Sequence, residues 1–373
     1  MEEILLVEPD FPIPPKSKNH RDFLPIGLLK IGSYHKLKGD KVNLLRGSEH
    51  CGFTPDRILI TSLFTYWSEY VHESSRFYRK AYPNAKIEIG GIYASLMPEH
   101  CKKESPFAWV YRGLYRRGAA EKVKIDYSLL PEELDYQIVH SSRGCTRRCK
   151  FCGTWKIEPE FTCKESLVDE ICSNRIIFYD NNLLANRHIA DILNELADTK
   201  YNDRVIHSES QCGIDGRLLT PRLSKLLKKA RFINPRIAWD VPYGQWKAIK
   251  AQIDMLANSG YNPKDIYVFM IYNYDLDYYE MKKKLVRCKK WGVQIADCRY
   301  RPLDQTFDNY YPRRKQTNAD YYIHSNWTDN RIKLFRRKVR QQNIVIRHGF
   351  KSYSQKLERL GARRKNVWNS LII

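Results

Sequence analysis

Short apolar runs, each stopped by a polar, glycine or proline residue and separated by helix-length stretches, constrain this chain more than any other feature. Ile4 to Val7 ends at Pro9, and Val42 to Leu45, Ile58 to Leu63 and Ile87 to Ile89 follow, the last stopped by Gly90-Gly91. Pro25 to Leu37 has helical spacing, with Ile26, Leu29, Ile31 and Leu37 on related faces and Gly39 closing it, and Glu69 to Tyr82 reads the same way. Strands alternating with helices predict a parallel sheet covered on both faces. Ligands in such sheets bind beyond the carboxyl ends of the strands, here Glu8 to Phe11, Ser62 to Trp67 and Gly90 to Ser95.

A second series starts near 138. Ile138-Val139-His140, Arg175 to Tyr179, Val205 to Ser208, Ile237 to Trp239, Ile266 to Ile271 and Val293 to Ala296 read as strands, each followed by polar residues. Ile189 to Asp198, Arg222 to Lys229, Gln245 to Ala257 and Tyr278 to Lys290 read as the helices between them. About six β/α units predict a closed or partly closed barrel with its site at the carboxyl ends. The expected domains are 1–100, a linker at 101–137, a barrel at 138–300 and a basic extension at 301–373. The linker is rich in charge and tyrosine, and Pro131-Glu132-Glu133 reads as a turn; the alternative is a small layer packed on the next domain.

Composition bounds the class. The chain has 373 residues, 43% hydrophobic, enough for two domains or one large one with a real core. No apolar run approaches the roughly 20 residues that cross a bilayer, and the start lacks the basic and small-residue pattern of a signal peptide. A cytoplasmic protein with no membrane partner is expected. The net charge of +22 suggests an acidic partner, a phosphorylated metabolite or nucleic acid, or else a solvated basic surface. Arg331 to Arg340 and Arg363-Arg364-Lys365 concentrate the bias, and Tyr310-Tyr311-Pro312-Arg313-Arg314-Lys315 interleaves rings with cations, as base-stacking surfaces do.

Of ten cysteines, Cys51, Cys101, Cys212, Cys288 and Cys298 stand singly and read as ordinary thiols. Residues 143–153 are different: Arg-Gly-Cys-Thr-Arg-Arg-Cys-Lys-Phe-Cys-Gly, with spacing C-x3-C-x2-C at Cys145, Cys149 and Cys152. Three thiolates in one loop can each bind a different iron of a cubane cluster and leave its fourth iron open. Arg143, Arg147, Arg148 and Lys150 would set positive charge beside the anionic cage, and Gly144 and Gly153 would let the backbone close around it. The other reading is zinc, with Cys163 as fourth ligand.

The loop resembles the signature of the radical S-adenosylmethionine superfamily, with Phe151 in its aromatic position and a predicted strand before it. The resemblance implies a [4Fe-4S] cluster on Cys145, Cys149 and Cys152, S-adenosylmethionine chelated to the open iron, and Phe151 against the adenine. It implies reductive cleavage to methionine and a 5′-deoxyadenosyl radical, fed by a reductant such as flavodoxin or ferredoxin. Asp180-Asn181-Asn182 stands where many members carry a Gly-Gly-Glu-like turn, so Asp180 and Asn182 are candidate cofactor ligands, or else an Asx turn capping the helix near Asn186. Ser208, Ser210, Gln211, Asp240 and Asn273 follow strands and are lining candidates; Arg299, Tyr300, Arg301 and Asp304 are candidates to face substrate.

The N-terminal segments Pro25 to Leu29, Pro55 to Ser62 and Ile89 to Ser95 resemble the cobalamin-binding domain of one large subgroup, which implies a flavodoxin-like fold ahead of a partial (β/α)6 barrel. The D-x-H-x-x-G motif that gives cobalt a histidine is absent, since the first loop reads Glu8-Pro9-Asp10-Phe11-Pro12. Cobalamin would then rest on Gly90, Gly91, Thr61 and Ser62, or the domain has lost it. The functions left open are a radical enzyme modifying an unknown substrate, methylation being one form of this, one acting on nucleic acid, and a non-enzymatic zinc-bearing nucleic-acid binder.

Overall fold

The structure, a computed structural model, describes residues 1–13, 24–131 and 134–350, with 116–118 as backbone alone. The Pro131-Glu132-Glu133 turn lies partly outside these residues and Arg363-Arg364-Lys365 wholly so. Strands β1 (Glu3–Glu8), β2 (Lys41–Arg46), β3 (Arg57–Ser62) and β4 (Lys86–Gly91) alternate with helices α1 (Ile26–Leu37) and α2 (Ser68–Ala81). They form an all-parallel sheet in the order β2-β1-β3-β4-β5, where β5 is the two-residue strand Trp109–Val110. This is the doubly wound order whose switch point, between β1 and β3, opens a crevice at the carboxyl edge. Gly91 is required there. Its φ is +97°, and a Cβ would lie 2.2 Å from the Ser62 carbonyl oxygen.

The second unit is built from β6 (Gln137–Val139), β7 (Arg175–Phe178), α3 (Ile189–Asp198), β8 (His207–Ser210), α4 (Pro221–Lys229), β9 (Arg236–Ala238), α5 (Trp246–Asn258), β10 (Tyr267–Tyr272), α6 (Tyr278–Trp291) and β11 (Gln294–Arg299). β6, β7 and β8 pair in parallel, as do β9, β10 and β11. A single parallel bridge, Ile214 to Ile237, joins the two halves. The result is the partial six-stranded barrel expected. All four helices between its strands fall within a residue or two of their predicted spans, because each carries an amphipathic stripe that packs on the strands.

Two boundaries are corrected. The stretch 101–137 is not a bare linker. Leu130 and Tyr136 are buried with Ile4 and Leu6 of the first sheet, Leu28 and Leu29 of α1, and Ile138 and Ile177 of the barrel, in one continuous cluster. The two units therefore share a core through this layer, which fixes their relative placement. Nor is 301–350 an appended extension. Tyr321 and Trp327 enter the barrel core with Ile332, Phe335 and Val339 of α7 (Asp329–His348). Thr328 caps α7, its hydroxyl accepting from Arg331 N. Among the described residues, no helix is long and apolar enough to cross a membrane.

Candidate functional site

The cysteine loop leaves β6 at the carboxyl end of the barrel. Ser142–Arg143 pairs antiparallel with Thr162–Cys163, so residues 144–161 form a closed loop at that mouth. Gly144 permits the tight start: its φ is +75°, and a Cβ would stand 2.1 Å from the Glu160 carbonyl oxygen. Glu158 anchors the start by accepting from Gly144 N at 2.9 Å. Cys152 N donates to Cys149 O at 3.0 Å, and the Trp155 indole donates to the same carbonyl at 3.1 Å. All three thiols are half-buried and unpaired by disulfides. Burial pushes the Cys149 thiol up, Cys152 and Asp240 add to this, and Arg147 opposes it.

The four thiols of this region are not gathered around one point. A tetrahedral metal with sulfur at about 2.3 Å draws four thiolates to roughly 3.8 Å of one another. Among the described residues, no three of Cys145, Cys149, Cys152 and Cys163 bring their sulfurs within 4.8 Å. The group that does gather, Glu2, His35 and Asp40, lies far from the mouth at the start of the first sheet, and both His35 nitrogens are engaged, by Asp40 and Tyr115.

The turn after β7 has divided roles. Asp180 is fully buried and its carboxylate accepts from the amides and hydroxyls of both Ser141 and Ser142, at 2.6–3.0 Å. It braces the root of the cysteine loop and has no face left for a cofactor, which corrects the sequence expectation. The Asx turn at the start of the next helix is made by Asn186 itself, whose Oδ1 accepts from His188 N at 2.8 Å, while Asn182 precedes the short 3-10 turn Leu183–Ala185 without a side-chain cap. Asn182 keeps its cofactor candidacy, since its Oδ1 is buried with no hydrogen-bond partner among the described residues, and so is Gln211 Oε1. Orphaned acceptors of this kind cost free energy unless a ligand or water reaches them. Ser208 Oγ is orphaned too.

Other candidates separate. Asp240 is exposed in the open barrel yet ringed by protein, which pushes its carboxyl up to about 6. Ser210 donates to Cys212 O at 3.0 Å, and Asn273 is tied to Tyr322 O and His324 N, so both are structural here. Phe151 meets the Tyr274 ring edge-on at 5.9 Å, and Tyr274 lies 4.4 Å from Tyr300, an aromatic wall beside the loop. Arg299 and Arg301 both engage Asp308, and Arg301 lies 4.6 Å over the Tyr66 ring of the first unit. The expected positive field around the loop is smaller than its sequence suggests. Arg143 turns away to Glu158 and His140, and Arg147 leans on Asp215 at 3.6 Å.

Between the two units lies a cavity of about 400 Å³. Thr61, Ser62, Gly90 and Gly91 line its sheet side; His140, Arg143, Glu158, Tyr179 and Asn181 line its barrel side. Ser62 is occupied, donating to Gly90 O at 2.6 Å and accepting from Ala94 N at 3.0 Å. Of the predicted set, Thr61, Gly90 and Gly91 remain as contact surface. The cavity's charges are compensated: Glu8 by Arg46, Glu88 by Arg57, Glu121 by Lys30, Glu158 by Arg143. His140 Nε2 accepts from Arg143 at 2.8 Å, so that nitrogen has no lone pair for a metal.

Sequence reading missed Asn181. It lines this cavity, and its Oδ1 accepts from the Thr154 hydroxyl at 3.1 Å, which in turn sits 3.3 Å from Cys152 Sγ. One side chain thus touches both the cavity and the cysteine loop. Its position in the middle of a turn already noted was the available signal.

The arrangement defines a class by fold: a flavodoxin-like parallel sheet followed by a partial β/α barrel with a cysteine loop at its mouth. Among solved structures, the chain is similar to the radical S-adenosylmethionine methyltransferase TsrM from Kitasatospora setae with cobalamin and [4Fe-4S] cluster bound, with a TM-score of 0.61 and 13% identity over 82% of this chain and 76% of that one. At that identity the likeness establishes the fold. No family model matches the chain, and no curated protein matches it in sequence.

Proposed function

We propose that this protein is a radical S-adenosylmethionine enzyme, with Cys145, Cys149 and Cys152 holding a [4Fe-4S] cluster. The observation that carries the reading is the closed 144–161 loop at the barrel mouth, which presents three half-buried free thiols from one short segment beyond the carboxyl end of β6. A cluster so held supplies the electron that splits S-adenosylmethionine into methionine and a 5′-deoxyadenosyl radical. The chain's own residues do the rest. Asn182 and Gln211 offer acceptors to the ammonium and hydroxyl donors of the cofactor. Phe151 and Tyr274 exclude water beside it. Asp180 fixes the loop that carries the first thiol.

The cavity between the units matches a corrinoid in polarity, its walls being largely apolar and its charges paired, and its volume of about 400 Å³ would take part of such a ring system with the remainder at its open side. Neither His140 Nε2 nor the first loop offers an imidazole to cobalt, so the ring would be held by packing and backbone contacts. The reaction this supports is methylation of an unidentified substrate.

The test is anaerobic reconstitution with iron and sulfide, followed by dithionite and S-adenosylmethionine. The expected result is four irons per chain and 5′-deoxyadenosine or S-adenosylhomocysteine as product. Cys149→Ala should abolish both iron retention and product, while Cys163→Ala should retain them. Loss of iron in Cys163→Ala to the same extent would replace the three-cysteine assignment with a four-thiolate one.

A further inference from the structure

Beyond the cofactor chemistry, the outside of the barrel carries a surface dominated by cations. α6 exposes Lys282, Lys283, Lys289 and Lys290, and α7 exposes Arg337 and Arg340. The two helices lie side by side: Gln342 of α7 donates to Leu285 O of α6 at 3.1 Å, and Arg331 reaches the Tyr279 hydroxyl at 3.4 Å. Each helix contains one acid, already engaged by a neighbour, and from β11 the largely buried Asp297 interacts with Arg340, while Lys283 lies 6.0 Å over the Tyr243 ring. Glu280 accepts from Tyr243 N at 2.6 Å, and Asp329 accepts from the Tyr321 hydroxyl and pairs with Lys333. Among the described residues, none of the six cations sits in an ion pair, although surface acids elsewhere commonly find partners. Leaving like charges adjacent destabilises a fold modestly, and an anionic partner removes that penalty.

The stripe has a direction. α6 starts just past the carboxyl end of β10, so its first turn lies at the barrel mouth and Lys290 lies about 17 Å further down. At the mouth end the charge gives way to rings. Tyr279 is 57% exposed with the Arg331 guanidinium 5.1 Å over it, and Tyr311 is 49% exposed with Arg314 beside it. A cationic track that ends on exposed rings paired with guanidinium groups is how proteins bind single strands: phosphates along the track, bases stacked at its end. An acidic polypeptide would use the cations and leave the rings idle.

We propose that α6 and α7 form a track for single-stranded nucleic acid that leads to the barrel mouth, and hence that the substrate of the barrel site is a nucleotide within such a strand. The track is independent of the cluster, so it is tested on the protein as purified. Fluorescence anisotropy with a short labelled oligouridylate should give a log–log salt slope of about −3 if four phosphates are paired. The triple variant Lys283→Ala, Lys290→Ala, Arg337→Ala should weaken binding about tenfold or more and flatten the slope by about 2. The control Lys86→Ala, Lys102→Ala, Lys103→Ala removes the same charge from exposed sites on the first unit and should leave binding within about twofold. Tyr279→Ala should cost about fivefold at unchanged slope. Equal losses in the two triple variants would mean diffuse attraction to a basic protein and would overturn the proposal. Displacement of the oligonucleotide by polyglutamate at equal charge, with Tyr279→Ala inert, would assign the track to an acidic polypeptide and overturn it as well.

Discussion

At the scale of single residues, burial decides which groups titrate. His72 is 4% exposed, between Ser105 Oγ at 2.7 Å and Tyr93 OH at 2.8 Å, and burial pushes its imidazole down to about 4. His140 is held well below the usual histidine range by burial first and by Arg143 and Lys30 next. Both stay neutral in the folded chain while the unfolded chain takes up protons below about pH 6.5. Their contribution to stability is therefore complete above that pH and is lost as pH falls toward 4. Between pH 7 and 5 His72 alone should remove about 2 kcal/mol from the unfolding free energy. Denaturant titrations at the two pH values measure this, and His72→Gln should make the drop smaller by about that amount. A His72→Gln protein with the parental pH dependence would show that some other group is responsible. None of this was readable in the sequence, where both histidines are isolated letters. The same holds for Asp180, whose residue type suggested a ligand while its place behind Ser141 and Ser142 made it a brace.

At the scale of elements, the reading was much better, because strands and helices announce themselves by period. α3 begins at Ile189 and ends at Asp198 as expected, and β10, α6 and β11 were read within three residues at each end. What escaped was made by distant pairing. β5 has only two residues and exists because Ile89 and Val110 meet across the sheet. α7 had a helical stripe in Ile332, Phe335 and Val339, hidden by the cations between them. The short ladder closing the cysteine loop has no pattern of its own, since it joins residues 142–143 to 162–163. That ladder leads to a prediction. Gly144→Ala places a methyl group against the Glu160 carbonyl in a backbone conformation that alanine avoids. Because the clash is with backbone, the loop must shift, while the barrel core below it is untouched. Iron retained after reconstitution should fall by half or more, with a loss of global stability of about 1–3 kcal/mol. Full iron content in Gly144→Ala would show that the loop's start does not set the thiol geometry.

At the scale of the whole molecule, the shared core is what makes a site out of two units. Leu130 and Tyr136 lock the first sheet against β6 and β7, and the cavity between them is a consequence of that docking. Its walls come from segments more than a hundred residues apart, such as Ile26 and Tyr179, so no local window of sequence could show it. Asn181 and the Arg143–Glu158 pair then connect that cavity to the cysteine loop through two to three contacts each. A ligand seated there binds only the docked arrangement, and so should stabilise the chain as a whole by mass action. With hydroxocobalamin as the probe at about a hundred times its dissociation constant, the gain is about 2.7 kcal/mol, which for a chain of this size raises the melting temperature by several degrees. Ile92 lines the cavity and is 42% exposed, so Ile92→Trp can fill the space without disturbing a buried neighbour. The variant should melt at the parental temperature when free and lose most of the shift produced by the corrinoid. A shift of the same size in Ile92→Trp would place the corrinoid elsewhere on the protein, and no shift in either would mean that the cavity takes a different ligand.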